Sequence, residues 1–233
     1  MAWYSRFFPS PDLRQPALAA EQQQAIAAWE QLPAADLRRS HYRSRYVVID
    51  VEAAGANSDC LQTLGSVAVV DGLIDFADAA YVDLSSLAPG HQADDSPQGA
   101  ARASSEGRLI DELISFLGFT AKAPLVAYHA AFTARLVEQT LAATLGIVWR
   151  QPWIDLDWVM SDLFREVEAR SRLDDWLMHF GIDSIQRHHP VSDAYVTAKL
   201  LQITIARAAR KGFDTPAALL EVEKARRHMH QSV

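Results

Sequence analysis

Apolar positions along the chain follow two different periods. Tyr46-Val47-Val48-Ile49 is unbroken and rich in β-branched residues, the pattern of a strand covered on both faces, and it runs directly into Asp50-Val51-Glu52. A second strand is expected over Leu61 to Val70. Asp71-Gly72 is a dipeptide suited to a tight hairpin, so Leu73 to Leu84 is expected to return antiparallel. Pro124 to Ala127 and Trp153-Ile154-Asp155 read as two further short strands.

Elsewhere the period is helical. Leu109, Ile110, Leu113, Ile114 and Leu117 form one stripe of a helix over Ser104 to Leu117. Further helices are predicted over Ala131 to Leu145, Leu156 to Arg165, Leu173 to Phe180, Val191 to Ala209 and Thr215 to Arg227, with Gly146 and Gly181 as stops. Residues 85 to 103 hold Ser, Pro, Gly, Asp and Gln without periodicity and are expected to be a surface loop. Residues 1 to 44 read as an N-terminal helical extension, its helix lying over Ala17 to Gln31 ahead of Pro33, and residues 45 to 233 read as the core domain. Three strands in a meander followed by strands alternating with helices predict an α/β fold with a mixed, five-stranded sheet flanked by helices.

Composition narrows the class. With 233 residues and 49% hydrophobic positions the chain can bury a large single core. No apolar run approaches the roughly 18 residues of a membrane span, and residues 1 to 8 lack the features of a secretory signal, so a cytoplasmic location without a membrane partner is expected. A single cysteine, Cys60, excludes an internal disulfide and leaves oxygen or imidazole groups as metal ligands. A net charge of -7 argues against a protein that coats nucleic acid through a broad basic surface, though not against an enzyme acting on a strand end. Basic residues cluster at Arg38-Arg39, Arg43 to Arg45, Arg207 to Lys211 and Arg226-Arg227-His228. The plainest reading of each cluster is a solvated helix face.

The candidate chemistry lies at two places. Side chains two apart on a strand share a face, so Asp50 and Glu52 can converge on one hard cation while Val51 turns to the opposite layer. Asp193 falls in the first turn of a predicted helix, where a carboxylate is also favoured by the helix dipole alone. His188 stands five residues earlier, and its ordinary pKa of about 6.5 suits proton removal near neutrality.

In order along about residues 45 to 220, five stretches resemble the DEDDh family of 3′ to 5′ exonucleases. Val48-Ile49-Asp50-Val51-Glu52-Ala53-Ala54-Gly55 is similar to the first motif, and Thr63-Leu64-Gly65-Ser66-Val67 to the strand after it. Leu125-Val126-Ala127-Tyr128-His129-Ala130-Ala131-Phe132-Thr133 resembles the second motif. Leu173 to Gly181 resembles the helix before the third, and Arg187-His188 through Asp193-Ala194 resembles the third itself.

The resemblance implies a ribonuclease H-like sheet and removal of mononucleotides from the 3′ end of single-stranded DNA or RNA. It implies Asp50, Glu52 and Asp193 as ligands of Mg²⁺ or Mn²⁺, two ions in the family pattern and one or two here. His188 would be the base, with Ala53 and Phe132 beside the terminal nucleotide. Two departures stand out. Thr133 occupies the position of the family's fourth carboxylate, and Ala53 and Ala54 stand where threonines are common. An exonuclease slowed by Thr133 is therefore weighed against a catalytically weak or inactive relative that binds nucleic acid, or a protein partner through residues 1 to 44. Asp155 or Asp157 is the candidate for compensation, since Glu138 would be rotated away.

Overall fold

The computed structural model describes residues 18–54, 60–85, 97–167, 172–183, 186 and 189–231. Five strands form one sheet: β1 (Arg45–Ala54), β2 (Cys60–Val70), β3 (Leu73–Asp83), β4 (Leu125–Ala127) and β5 (Trp153–Asp155), in the order β3-β2-β1-β4-β5. The three N-terminal strands are mutually antiparallel, whereas β4 and β5 run parallel to β1, so the sheet is mixed. The helices are α1 (Ala20–Glu30), α2 (Pro97–Thr120), α3 (Ala130–Leu145), α4 (Leu156–Leu163), α5 (Leu173–Phe180), α6 (Pro190–Arg210) and α7 (Pro216–Gln231). None of the described helices is long and apolar enough to cross a membrane.

Alternation along β1 divides the core into two layers. Tyr46 and Val48 join Val67, Val69, Val126 and Ile154 under α4 to α7, where Met160, Trp176, Leu200 and Leu219 are buried. Val47 and Ile49 join Leu64, Val82 and Leu125 under α1 to α3, with Trp29, Leu113, Phe116 and Leu136. Each fully buried apolar side chain contributes roughly 1.5 to 3 kcal/mol. A one-residue slip of β1 would exchange the two sets, which is why its register, and the side on which Asp50 emerges, is strongly specified.

The strands lie where the hydrophobic pattern predicts them, and the Asp71-Gly72 hairpin has positive φ at both residues, 53° and 82°. The expected loop over 85 to 103 is corrected in its second half, since α2 begins at Pro97 rather than near Ser104. Proline is favoured at a first helical position, and the Ala residues after it are strong helix formers; a polar composition masked both signals. Residues 86–96 lie outside the described residues. Helix α1 packs on α2: the Trp29 indole N–H donates to the Ala121 carbonyl at 2.9 Å, and Gln22 donates to Asp111 at 2.8 Å.

Buried His41 ties the segment before β1 to the one before α7. Its Nε2 donates to the Phe213 carbonyl at 2.8 Å, and its Nδ1 accepts from the Tyr46 hydroxyl at 2.5 Å, an arrangement that needs the neutral ring. Burial holds its pKa below the ordinary 6.5, against the opposing Phe213 hydrogen bond and Asp214 charge. A depressed histidine adds stability that is present above pH 6.5 and lost as pH falls toward the folded-state value. The raised carboxyls of Asp155 and Glu223 act in the opposite sense, so the check is a difference: in urea denaturation the natural chain should lose unfolding free energy relative to His41→Gln as pH drops from about 6.5 to 5.

Candidate metal and nucleic-acid site

Asp50 and Glu52 project from the end of β1 on the face covered by α6, because Val51 between them packs with the α1 to α3 layer. The strand register shifts between Glu52 and Ala53, a bulge that ends regular pairing just beyond the second carboxylate. Asp193 lies in the first turn of α6, buried, with its backbone N–H bonded to the His189 carbonyl at 3.0 Å. Asp50, Glu52 and Asp193 each offer an oxygen such that all three lie within 4.8 Å of one another.

Gly65 is what lets α6 come so near. It pairs with Asp50 across β1 and β2, and a Cβ built there would sit 2.3 Å from Pro190 C and Val191 N. The backbone of α6 therefore rests on the backbone of β2, three residues from Asp193. A glycine inside an apolar strand is the sequence signal of such an approach. Gly65→Ala should displace the start of α6 and cost about 1 to 3 kcal/mol by overpacking. Gly118→Ala on α2, with nothing within 4 Å, should leave stability level or raised. Urea denaturation of both variants checks the contrast.

The geometry suits a hard divalent ion. About 2.1 Å from an octahedral cation, ligand oxygens are separated by about 3 Å when adjacent and about 4 Å when opposite, so the three carboxylates need only small adjustment to share one. Three like charges this close repel by about 3 to 4 kcal/mol per pair at an effective dielectric near 20, which a bound cation would offset.

The remaining predicted residues are distributed as follows. His188 lies outside the described residues; on either side of it, Gln186 donates its N–H to Ser192 Oγ at 3.1 Å and His189 caps α6. Phe132, 39% exposed, opens α3 with the Arg135 guanidinium 5.6 Å from its ring centroid. Ala53 packs with Val51 against the α1 to α3 layer rather than on the carboxylate face. Thr133 is buried in the first turn of α3, which leaves the sheet at the same end as Asp50, since β4 runs parallel to β1. An apolar groove of about 310 Å³ flanks α6, lined by Val67, His189, Val191 and Tyr195, and Tyr81 stacks on His189 with centroids 5.7 Å apart.

Asp155 and Asp157 are committed elsewhere. Asp155 Oδ2 accepts from the Ala130 N–H at 3.0 Å and from Arg227 at 2.8 Å, while Asp155 N–H donates to Glu223 Oε2 at 2.8 Å. Burial pushes the Asp155 carboxyl up despite the Arg227 charge. Asp157 accepts from the Tyr128 hydroxyl at 3.0 Å and stands 3.9 Å from His129 Nδ1. Neither belongs to the carboxylate group around Asp50.

No protein-family model matches the chain. Over 168 residues, 71% of its length, it is 24% identical to DNA polymerase III PolC-type of Clostridium perfringens (strain 13 / Type A), of which it spans 12%. Among solved structures it is similar to the nuclease domain of 3′hExo, a DEDDh family member, bound to rAMP: TM-score 0.50 and 13% identity, covering 72% of this chain and 94% of that one. Exonuclease X in complex with 5′ overhanging duplex DNA gives 0.49 and 17% over 76% and 99%. At these identities the likeness is one of fold, a ribonuclease H-like mixed sheet flanked by helices.

Proposed function

We propose that this chain is a divalent-cation-dependent 3′ to 5′ exonuclease that hydrolyses the terminal phosphodiester of single-stranded DNA or RNA and releases nucleoside monophosphates. The observation that carries this reading is the meeting of Asp50, Glu52 and Asp193 within 4.8 Å. The match to a PolC-type polymerase and the ribonuclease H-like fold support it.

In this reading the three carboxylates hold Mg²⁺ or Mn²⁺, which when bound polarises the scissile phosphate and stabilises the leaving 3′ oxygen. His188 accepts the proton of the attacking water as its oxygen forms the new bond to phosphorus, and the P–O3′ bond breaks with the leaving oxygen protonated from solvent. Phe132, exposed at the start of α3, offers a ring to the terminal base, where stacking contributes about 1 to 3 kcal/mol. Ala53 borders the strand end. Thr133 stands where the resemblance implies a fourth carboxylate, and a hydroxyl brings no charge to a second ion.

That buried, neutral Thr133 favours a second reading: a catalytically weak or inactive exonuclease-fold protein that keeps the cleft for binding nucleic acid or a protein partner.

The test is release of mononucleotides from single strands labelled at the 3′ or the 5′ end, with Mg²⁺ or Mn²⁺ present or chelated. The expected result is prompt release of the 3′ label and a rate about a thousandfold lower or less after chelation. Internal cleavage, prompt release of the 5′ label, or metal-independent turnover would each overturn the exonuclease reading.

A further inference from the structure

Two of the basic clusters in the sequence meet at the end of the sheet opposite the three carboxylates. A cleft of about 250 Å³ lies there, lined by Arg39 and Arg43 from the segment before β1, Arg45 at the start of β1, Lys122 between α2 and β4, Asp36, and Pro216 at the start of α7. Of the charged residues that line it four are cations and one is a carboxylate, in a chain whose net charge is -7. Arg45 and Asp50 are five residues apart on β1, about 17 Å at the rise of a strand, so the cleft is separate from the carboxylate site.

These cations are not equally engaged. Arg45 is bonded through Nη2 and Nε to Asp78 Oδ2, at 2.8 and 3.2 Å. The Lys122 ammonium sits 3.2 Å from the centroid of the Trp29 ring, where partial burial lowers its pKa against the charge of Glu30, and it has no carboxylate contact within 4 Å among the described residues. Arg39 and Arg43 are exposed, and among the described residues neither guanidinium forms an ion pair. The first turn of α7, a helix of 16 residues, adds the positive end of its dipole at Pro216.

We propose that this cleft is a binding site for a phosphate-bearing anion, with Arg39 and Arg43 as the guanidinium forks and Lys122 as a point charge. Guanidinium groups pair with phosphate oxygens in twos, and an ammonium beside them adds a compact point charge. Net negative charge elsewhere repels anions, so occupancy depends on this local convergence. The phosphate can belong to inorganic pyrophosphate or to a nucleoside 5′-monophosphate.

The full chain carrying Asp50→Asn, in buffer without divalent cations, isolates the cleft from the carboxylate site and from the fate of the exonuclease reading. Calorimetric titration with pyrophosphate and, separately, with a nucleoside 5′-monophosphate is expected to show binding that weakens about tenfold or more when Arg39→Gln and Arg43→Gln are added together. Arg172→Gln, at an exposed arginine outside the cleft, should leave affinity unchanged. Because Arg39 and Arg43 are exposed, the double variant should melt with the parent, and a melting curve establishes that it is folded. Tighter binding of pyrophosphate supports the site with free phosphate as its source, and tighter binding of the monophosphate supports it with a nucleotide. No binding by the Asp50→Asn chain, or equal affinity in the Arg39→Gln/Arg43→Gln variant, would overturn the proposal.

Discussion

Asp50→Ala is expected to lower the rate of mononucleotide release by about a thousandfold or more at saturating Mg²⁺. Asp50 is the residue of the trio fixed to the centre of the sheet, paired with Gly65 on one side while α6 presents Asp193 from above. Its loss leaves Glu52 and Asp193 on separate elements without the ligand between them, so a cation is held more weakly and away from the position the trio defines. Each 1.36 kcal/mol of lost transition-state stabilisation is tenfold in rate, and the electrostatic contribution of a bound divalent ion is several kcal/mol. A second readout separates loss of chemistry from loss of folding. Mg²⁺ binding the native state should raise the melting temperature of the natural chain, by mass action, and should no longer do so in Asp50→Ala. A variant that retains both the rate and the Mg²⁺-dependent shift would mean that the three carboxylates do not form the working site.

Thr133→Asp is expected to act in the opposite direction, raising the rate about ten- to a hundredfold at saturating Mg²⁺. Helix α3 starts at the sheet end that carries Asp50, and Thr133 is 3% exposed in its first turn. A carboxylate there would have to be neutralised, and a second cation beside the first is the natural partner. The gain therefore carries a signature. Without divalent ions the variant should be less stable than the natural chain by about 1 to 3 kcal/mol, since it buries a further like charge, and Mg²⁺ should restore more than this loss. Denaturation with and without Mg²⁺ measures it. Activity confined to Thr133→Asp would favour the disabled relative; no change in rate or in metal-linked stability would place Thr133 outside the site's reach.

The strands and most helices were legible because their determinants are local. β1 is an apolar run, the hairpin has its Asp71-Gly72, and α5 has its stop at Gly181, each readable within a few residues. The start of α2 at Pro97 is not legible in the same way, because a helix end among Ser, Pro and Gln residues depends on propensity without an apolar stripe. For the site, Asp50 and Glu52 share a face by strand period alone, and a one-residue slip of register would turn both toward the α1 to α3 layer. Asp193 was legible only as an acid at a helix start; what turns it into a neighbour of Asp50 is the missing side chain of Gly65 under Pro190 and Val191.

By itself, then, the sequence determined which residues carry charge, which strand face Asp50 and Glu52 occupy, and that Thr133 brings no carboxylate to α3, since composition and short-range period need no partner chain segment. Tertiary structure alone decided the rest. It took Asp155 out of contention by pairing it with Arg227 of α7, and it gathered Arg39, Arg43 and Lys122 from separate segments into one cleft. Contacts between residues distant in sequence are set by how whole faces pack, and no local pattern of residues encodes that.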